Sequence, residues 1–204
     1  MSRLVAPTLT GRHVSLQPLA IDHVDAITSA GAGDRSTFGY TQVPNGADET
    51  SEYVTWLLDD AADDRAVPFV QRRVTDDTVV GCTRFLNLSW TLGRHHPDEV
   101  EIGGTWLSSS AQRTSINTEA KLLLLTYAFD VWNVQRVAVC TDARNEQSRR
   151  AIERLGAPFE GVHRRHRRST RTGDGDRLRD TAIYAITVDD WSAVRTLLTA
   201  RLAD

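Results

Sequence analysis

The residues Gln112-Arg113-Thr114-Ser115-Ile116-Asn117-Thr118 put a cation, side-chain amides and hydroxyls into one polar turn, and Lys121 follows a turn later. Ala120, Leu123, Leu124, Tyr127, Ala128 and Val131 then recur at the spacing of one helix face, with Leu122, Leu125 and Phe129 as a second stripe, so the polar turn opens a helix. The first turn of a helix carries unpaired N–H groups and a partial positive charge, which suits a phosphate. The same residue types also cap an ordinary helix, and the turn alone leaves both readings open. Upstream, Glu101 lies on the strand that feeds this turn, and Gly103-Gly104 interrupts that strand where a bulge forms or something approaches the backbone closely. Downstream, Asn145 opens another helix, with Ser148 on the face shared by Ala151, Ile152 and Leu155 and Gly156 placed to end it.

Positioning these groups takes a defined series of elements. A strand is expected over 12–19, where Val14 and Leu16 alternate with polar residues. A helix capped by Asp22, with Val24 and Ile27 inward, follows, and a second helix is capped by Asp48, with Tyr53, Trp56, Leu57 and Ala61 inward. Strands over 67–74 and 79–90 flank the turn Thr75-Asp76-Asp77-Thr78. In the next strand, 99–107, alternation puts Val100, Ile102 and Trp106 on one face and Glu101 and Thr105 on the other. A short buried strand spans 136–141. A hairpin runs through 159–168 and 180–188, and a terminal helix spans 189–202 with Trp191, Val194, Leu197 and Leu198 at core spacing. The order is β-α-α-β-β-β-α-β-α-β-β-α. It predicts a mixed α/β fold of the α+β type, a sheet of about seven strands flanked by helices, in one domain over 1–204.

Composition narrows the function classes. A chain of 204 residues is long enough to bury a substantial core, and a formal charge of −3 gives no global attraction to nucleic acid or membrane. Only Cys82 and Cys140 are present, far apart, which fits a reducing, cytoplasmic setting. The longest apolar run, Leu122 to Leu125, is too short for a membrane span. His95-His96 lack further ligands at suitable spacing, so no metal is expected. The basic run from His163 to Arg171 is the only concentrated positive charge. It reads first as a solvated strand, or as an attraction for an acidic protein or a phosphate; nucleic acid is disfavoured because no aromatics interleave it.

Glu101-Ile102-Gly103 with Trp106-Leu107, the segment from Gln112 to Lys121, and the run from Thr141 to Arg149 with Leu155-Gly156-Ala157 and Glu160-Gly161 together resemble the GNAT acyltransferase superfamily. Within it they are similar to the branch of the ribosomal-protein N-terminal acetyltransferases RimJ and RimL, over nearly the whole chain from Leu9. The resemblance implies an N-acetyltransferase that uses acetyl-coenzyme A without a metal and transfers acetyl directly to a primary amine, of a protein or a small molecule. It implies a pyrophosphate seat across Gln112, Arg113, Thr114, Ser115, Ile116, Asn117 and Thr118, with Lys121 beside it. Gln112 matches the first position of the family pattern, and Ser115 and Asn117 stand where small residues are usual. The resemblance further implies that Trp106 and Leu107 offer main-chain groups to the pantetheine arm and that Glu101 takes the amine proton. Ser148 would serve the departing sulfur, and Asn145 would hold cofactor or water. A non-catalytic acyl-coenzyme A sensor is the alternative, and the assembly is expected to be a monomer or a homodimer.

Overall fold

The computed structural model describes Leu4, residues 7–171 and residues 173–203. Its strands are β1 (Leu9–Thr10), β2 (Val14–Pro18), β3 (Ala66–Arg73), β4 (Thr78–Ser89), β5 (Glu99–Leu107), β6 (Arg136–Asp142), β7 (Phe159–Arg168) and β8 (Leu178–Thr187). The helices are α1 (Val24–Gly31), α2 (Ala47–Ala62), α3 (Ser115–Thr126), α4 (Glu146–Arg154) and α5 (Trp191–Ala203). The strands form one sheet in the order β1-β2-β3-β4-β5-β6-β8-β7. Every pairing is antiparallel except β5 with β6, where the crossover through α3 makes the two strands parallel. The expected order of elements is present with one addition, the short β1 at the edge.

Two apolar layers cover the sheet. On one face, Tyr53, Val54 and Leu57 of α2 and Ile27 of α1 pack with Val70, Cys82 and Trp106. On the other, Leu124 and Leu125 of α3, Ile152 of α4 and Leu198 of α5 pack with Phe69, Phe85, Val100 and Ile102. Glu119 of α3 fastens that second layer to the edge of the sheet, because its buried carboxylate accepts from the main-chain N–H groups of Arg12, His13 and Val14 at 2.8, 2.6 and 2.8 Å.

The structure corrects several sequence expectations. Asp22 does not cap α1; it lies inside a 3-10 turn, Ile21–His23, that leads into the helix. Asp48 sits within the first turn of α2, and the capping position falls to Gly46, whose φ of 85° only glycine adopts freely. Trp56 is 40% exposed rather than inward. After Thr126 the helix widens into a π-turn over Tyr127–Val131, which rotates Val131 out of the expected face to 50% exposure.

The correction with most consequence is in β5. Cys82 faces Trp106 across the ladder but Arg84 faces Gly103, so β5 holds one residue more than β4 between these pairs. Gly104, at φ 57°, belongs to this bulge. Because side chains alternate with a period of two, one extra residue inverts the faces beyond it. Val100 and Ile102 therefore join the α3 layer, whereas Trp106 joins the α1/α2 layer. Thr105 shares its face with Ile102, opposite to the uninterrupted alternation.

Candidate active site

β5 and β6 pair only from Glu99 with Arg136 to Glu101 with Ala138, although β5 continues to Leu107 and β6 to Asp142. Beyond Glu101 the two strands separate, and the bulge at Gly104 supplies the local twist that turns β5 away. The fork opens a groove of about 960 Å³. Glu101 stands at its base, the α3 start and α4 line one end, and the loop holding Phe38 and Tyr40 lines the other side.

Thr114 caps α3: its Oγ1 accepts from the Ile116 N–H at 3.3 Å and donates to the Ala111 carbonyl at 2.7 Å. Among the described residues, the main-chain N–H groups of Arg113, Thr114, Ser115 and Asn117 have no protein hydrogen-bond partner. Four such donors at one helix start are of the kind that can pair with an anion. The left-handed backbone that lets the turn close falls on Arg113, φ 59°, while Ser115 is already helical. Gln112 ties the turn to its surroundings, donating from Nε2 to Thr37 Oγ1 at 2.8 Å and to the Leu107 carbonyl at 2.9 Å. Trp106, Leu107, Gln112, Arg113, Thr114, Asn117, Thr118 and Lys121 all line the groove; Ser115 and Ile116 do not, and the Ile116 side chain is in the core.

Glu101 is 5% exposed and is gripped by Arg167 of β7, whose Nη1 and Nη2 donate to the two carboxylate oxygens at 3.0 and 2.8 Å. Asn87 Nδ2 donates to Oε2 at 2.8 Å. A carboxylate has about four acceptor sites; three are taken by nitrogen donors, and the Cys140 thiol is a weak donor beside the fourth. Cys140 of β6 lies beside it, and burial, reinforced by the Glu101 charge, pushes its thiol up to about 12. It stays protonated near neutral pH and is a poor nucleophile. Cys82 is buried and likewise pushed up to about 12.

Lys121 points from α3 to the sheet, where its Nζ donates to Thr105 Oγ1 at 2.6 Å, and that hydroxyl pairs with Thr83 Oγ1 at 2.8 Å. No carboxylate is paired with it among the described residues. Burial pushes its pKa down to about 7. The bulge makes this contact, since straight alternation would turn Thr105 away from α3.

At α4, Asn145 caps the helix as expected, its Oδ1 accepting from the Ser148 N–H at 3.0 Å. Ser148 lines the groove, and its hydroxyl has no protein partner among the described residues. Arg150 lines the groove, whereas Arg149 turns away from it, its Nε donating to the Tyr184 hydroxyl at 3.1 Å. The structure thus brings Glu101, Asn145, Ser148 and the α3 turn to one groove. Sequence reasoning missed Arg167, Asn87 and Thr105. The Arg-rich run contained Arg167, but β7 loses register with β8 between His163 and Arg167, with Arg165 at φ 45°, and simple alternation could not say which arginine turns inward.

Among the described residues, no group of three or more His, Cys, Asp or Glu is arranged to hold a metal ion. No helix among them is long and apolar enough to cross a membrane.

A β5/β6 pair that forks beside unpartnered donors at the start of the following helix is the frame of this site. Residues 13–158 match the model of the acetyltransferase (GNAT) domain, and the chain belongs to that family. It is 37% identical over 82 residues to YdaF of Bacillus subtilis (strain 168), provisionally named a ribosomal N-acetyltransferase; the match covers 38% of this chain and 44% of that protein, less than half of the relative's length. The solved GCN5-related N-acetyltransferase from Brucella melitensis superposes with a TM-score of 0.84 at 25% identity, over 97% of this chain and 86% of the other. Mycobacterium smegmatis RimJ, solved in complex with CoA-disulfide, gives 0.75 at 21% identity, over 92% and 88%, and shares the fold.

Proposed function

We propose that this protein is an acetyl-coenzyme A-dependent N-acetyltransferase of the RimJ/RimL-like kind, acting on a primary amine of a protein N-terminus, a lysine or a small molecule. The observation that carries this is the set of four unpartnered N–H groups at the α3 start, opening onto a fork whose base holds a buried carboxylate. Those donors fit a diphosphate, and Arg113 and Arg150 add positive charge at the same end.

Acetyl-coenzyme A, when bound, supplies the acetyl group as an activated thioester and leaves as the coenzyme A thiol. The chain does the rest by positioning and proton handling. The unpaired edge of β5 around Trp106 offers main-chain groups to an extended amide-bearing arm. Glu101, its fourth acceptor site met only by a weak donor, takes the amine proton directly or through water. The free Ser148 hydroxyl donates to the departing sulfur, and Asn145 holds the helix turn that presents it. Cys140, held protonated, takes no covalent part.

Calorimetric titration with coenzyme A, followed by thiol release across a panel of amines and peptides, tests the reading. Heat on binding and release with at least one primary amine are expected, and absence of heat removes the reading. The Arg167 grip on Glu101 favours the second reading, a non-catalytic acyl-coenzyme A sensor, which predicts binding without release for every amine.

A further inference from the structure

The charges around the groove are unequal. Its walls carry Arg84, Arg167, Arg168 and Arg179 near the fork, with Glu101 as the one carboxylate among the described lining residues. Two of these arginines are accounted for: Arg167 is paired with Glu101, and Arg168 reaches out to Asp176 at 2.7 Å. Arg84 and Arg179 make no ion pair among the described residues.

Arg84 is held in place without a counter-charge. Its guanidinium lies over the Trp56 ring, 5.0 Å from the centroid, and against the bulge, where a Cβ on Gly104 would come within 2.7 Å of Cζ. The missing side chain at Gly104 is what lets Arg84 lie there. On the ladder Arg84 pairs with Gly103, and a Cβ on Gly103 would lie 3.2 Å from Glu101 Oε1, so Arg84 belongs to the neighbourhood of Glu101. The α3 turn follows β5 only after its far end at Leu107. On the other side of the fork, the Arg179 Nε is buried with no hydrogen-bond partner. Burial, with Arg167 nearby, holds the Arg179 pKa below the usual arginine range, against the opposing pull of Asp142. A guanidinium kept at a cost in burial, next to a base, is a receptor for an anion.

We infer that the amine acceptor carries a carboxylate close to its reactive nitrogen, and that Arg84, with Arg179 across the fork, binds this carboxylate while the amine faces Glu101. This rests on the transferase reading of the groove and names its substrate class. Two sources share the chemistry, a free amino acid and a peptide that begins with an acidic residue.

The experiment compares acceptors matched but for one carboxylate, with kcat/KM referred to the free-amine fraction of each because a neighbouring carboxylate raises the amine pKa: alanine against alaninamide, and C-terminally amidated tetrapeptides beginning with Glu against Gln. The full chain is assayed by thiol release from acetyl-coenzyme A. The carboxylate member of one pair is expected to show kcat/KM at least about tenfold higher; the responding pair identifies the source. Arg84→Gln should bring that ratio near one with the coenzyme A affinity unchanged by calorimetry, and Arg84→Lys, which keeps charge but not the planar fork, should retain part of it. Equal rates within both pairs, or a ratio that survives Arg84→Gln and Arg179→Gln, overturn the inference. If no acceptor turns over, calorimetry of the same pairs on the protein with coenzyme A decides. Preferential binding of the carboxylate member upholds the anion site and overturns the transferase reading, and equal or absent binding overturns the anion site.

Discussion

Glu101 and Glu119 are both buried carboxylates, 5% and 6% exposed, and each accepts three hydrogen bonds, yet they are held by different kinds of donor. Glu119 is held by three successive main-chain N–H groups, which cannot move without unfolding the β1–β2 turn. Glu101 is held by the side chains of Arg167 and Asn87, which can rotate away and let another donor in. A carboxylate fixed by backbone is an architectural tie, whereas one fixed by side chains can trade one donor for another.

The contrast breaks if both substitutions act alike. Glu119→Ala leaves three N–H groups without their acceptor, at about 1–3 kcal/mol for each one left buried. The loss of stability by urea unfolding is expected to be about 3 kcal/mol, with turnover per folded molecule unchanged. Glu101→Gln is expected to slow thiol release about 100-fold, within the range for removing a general base, while coenzyme A still binds by calorimetry. An unchanged rate would take Glu101 out of the proton path.

Lys121 sharpens the comparison, because it is a buried charge-bearing group with a hydroxyl partner and, among the described residues, no carboxylate. Its folded pKa of about 7 lies below the roughly 10.4 of an unfolded lysine, so between these values the unfolded chain holds a proton that the native state lacks. Stability should therefore rise with pH from about 7 upward, by at most about 1.4 kcal/mol per pH unit from this group. The burial penalty is full below the folded pKa. Lys121→Met should raise the melting temperature at pH 7 and flatten the rise; a slope unchanged by the substitution would contradict the neutral amine. The smallest effect is expected from Ser148→Ala, about a fivefold drop in kcat with little change in stability, consistent with a single neutral hydrogen bond to a developing charge. Kinetics with the same amine panel would show it.

Much of this was legible in the sequence, for identifiable reasons. β5 was bounded correctly at Glu99 and Leu107, since its apolar alternation is flanked by polar loops, and Asn145 was readable as a cap because its helix begins and ends with clear signals. Helix-start chemistry marked the beginnings of α3 and α4, and the family resemblance singled out the residues there, of which Ser115 and Ile116 do not line the groove. What escaped was every consequence of a broken period. The glycine pair announced a bulge, but which faces Trp106 and Thr105 would take depended on how many residues the bulge added. Val131 was lost to the π-turn in the same way, and Arg167 to the irregular register of β7. Glu119 gave no local signal, because its partners lie more than a hundred residues away.

The extra residue in β5 makes the groove, rather than the packing layers, depend on the length of the strand. Removing one glycine from the pair would restore plain alternation, leaving the indole and the threonine on the layers they now occupy, and would cost the strand the twist that parts it from β6. A one-codon deletion there would flatten the strand at the fork while both packing layers kept their residues, whereas the same deletion in the exposed loop over 91–95 would only shorten a surface connection.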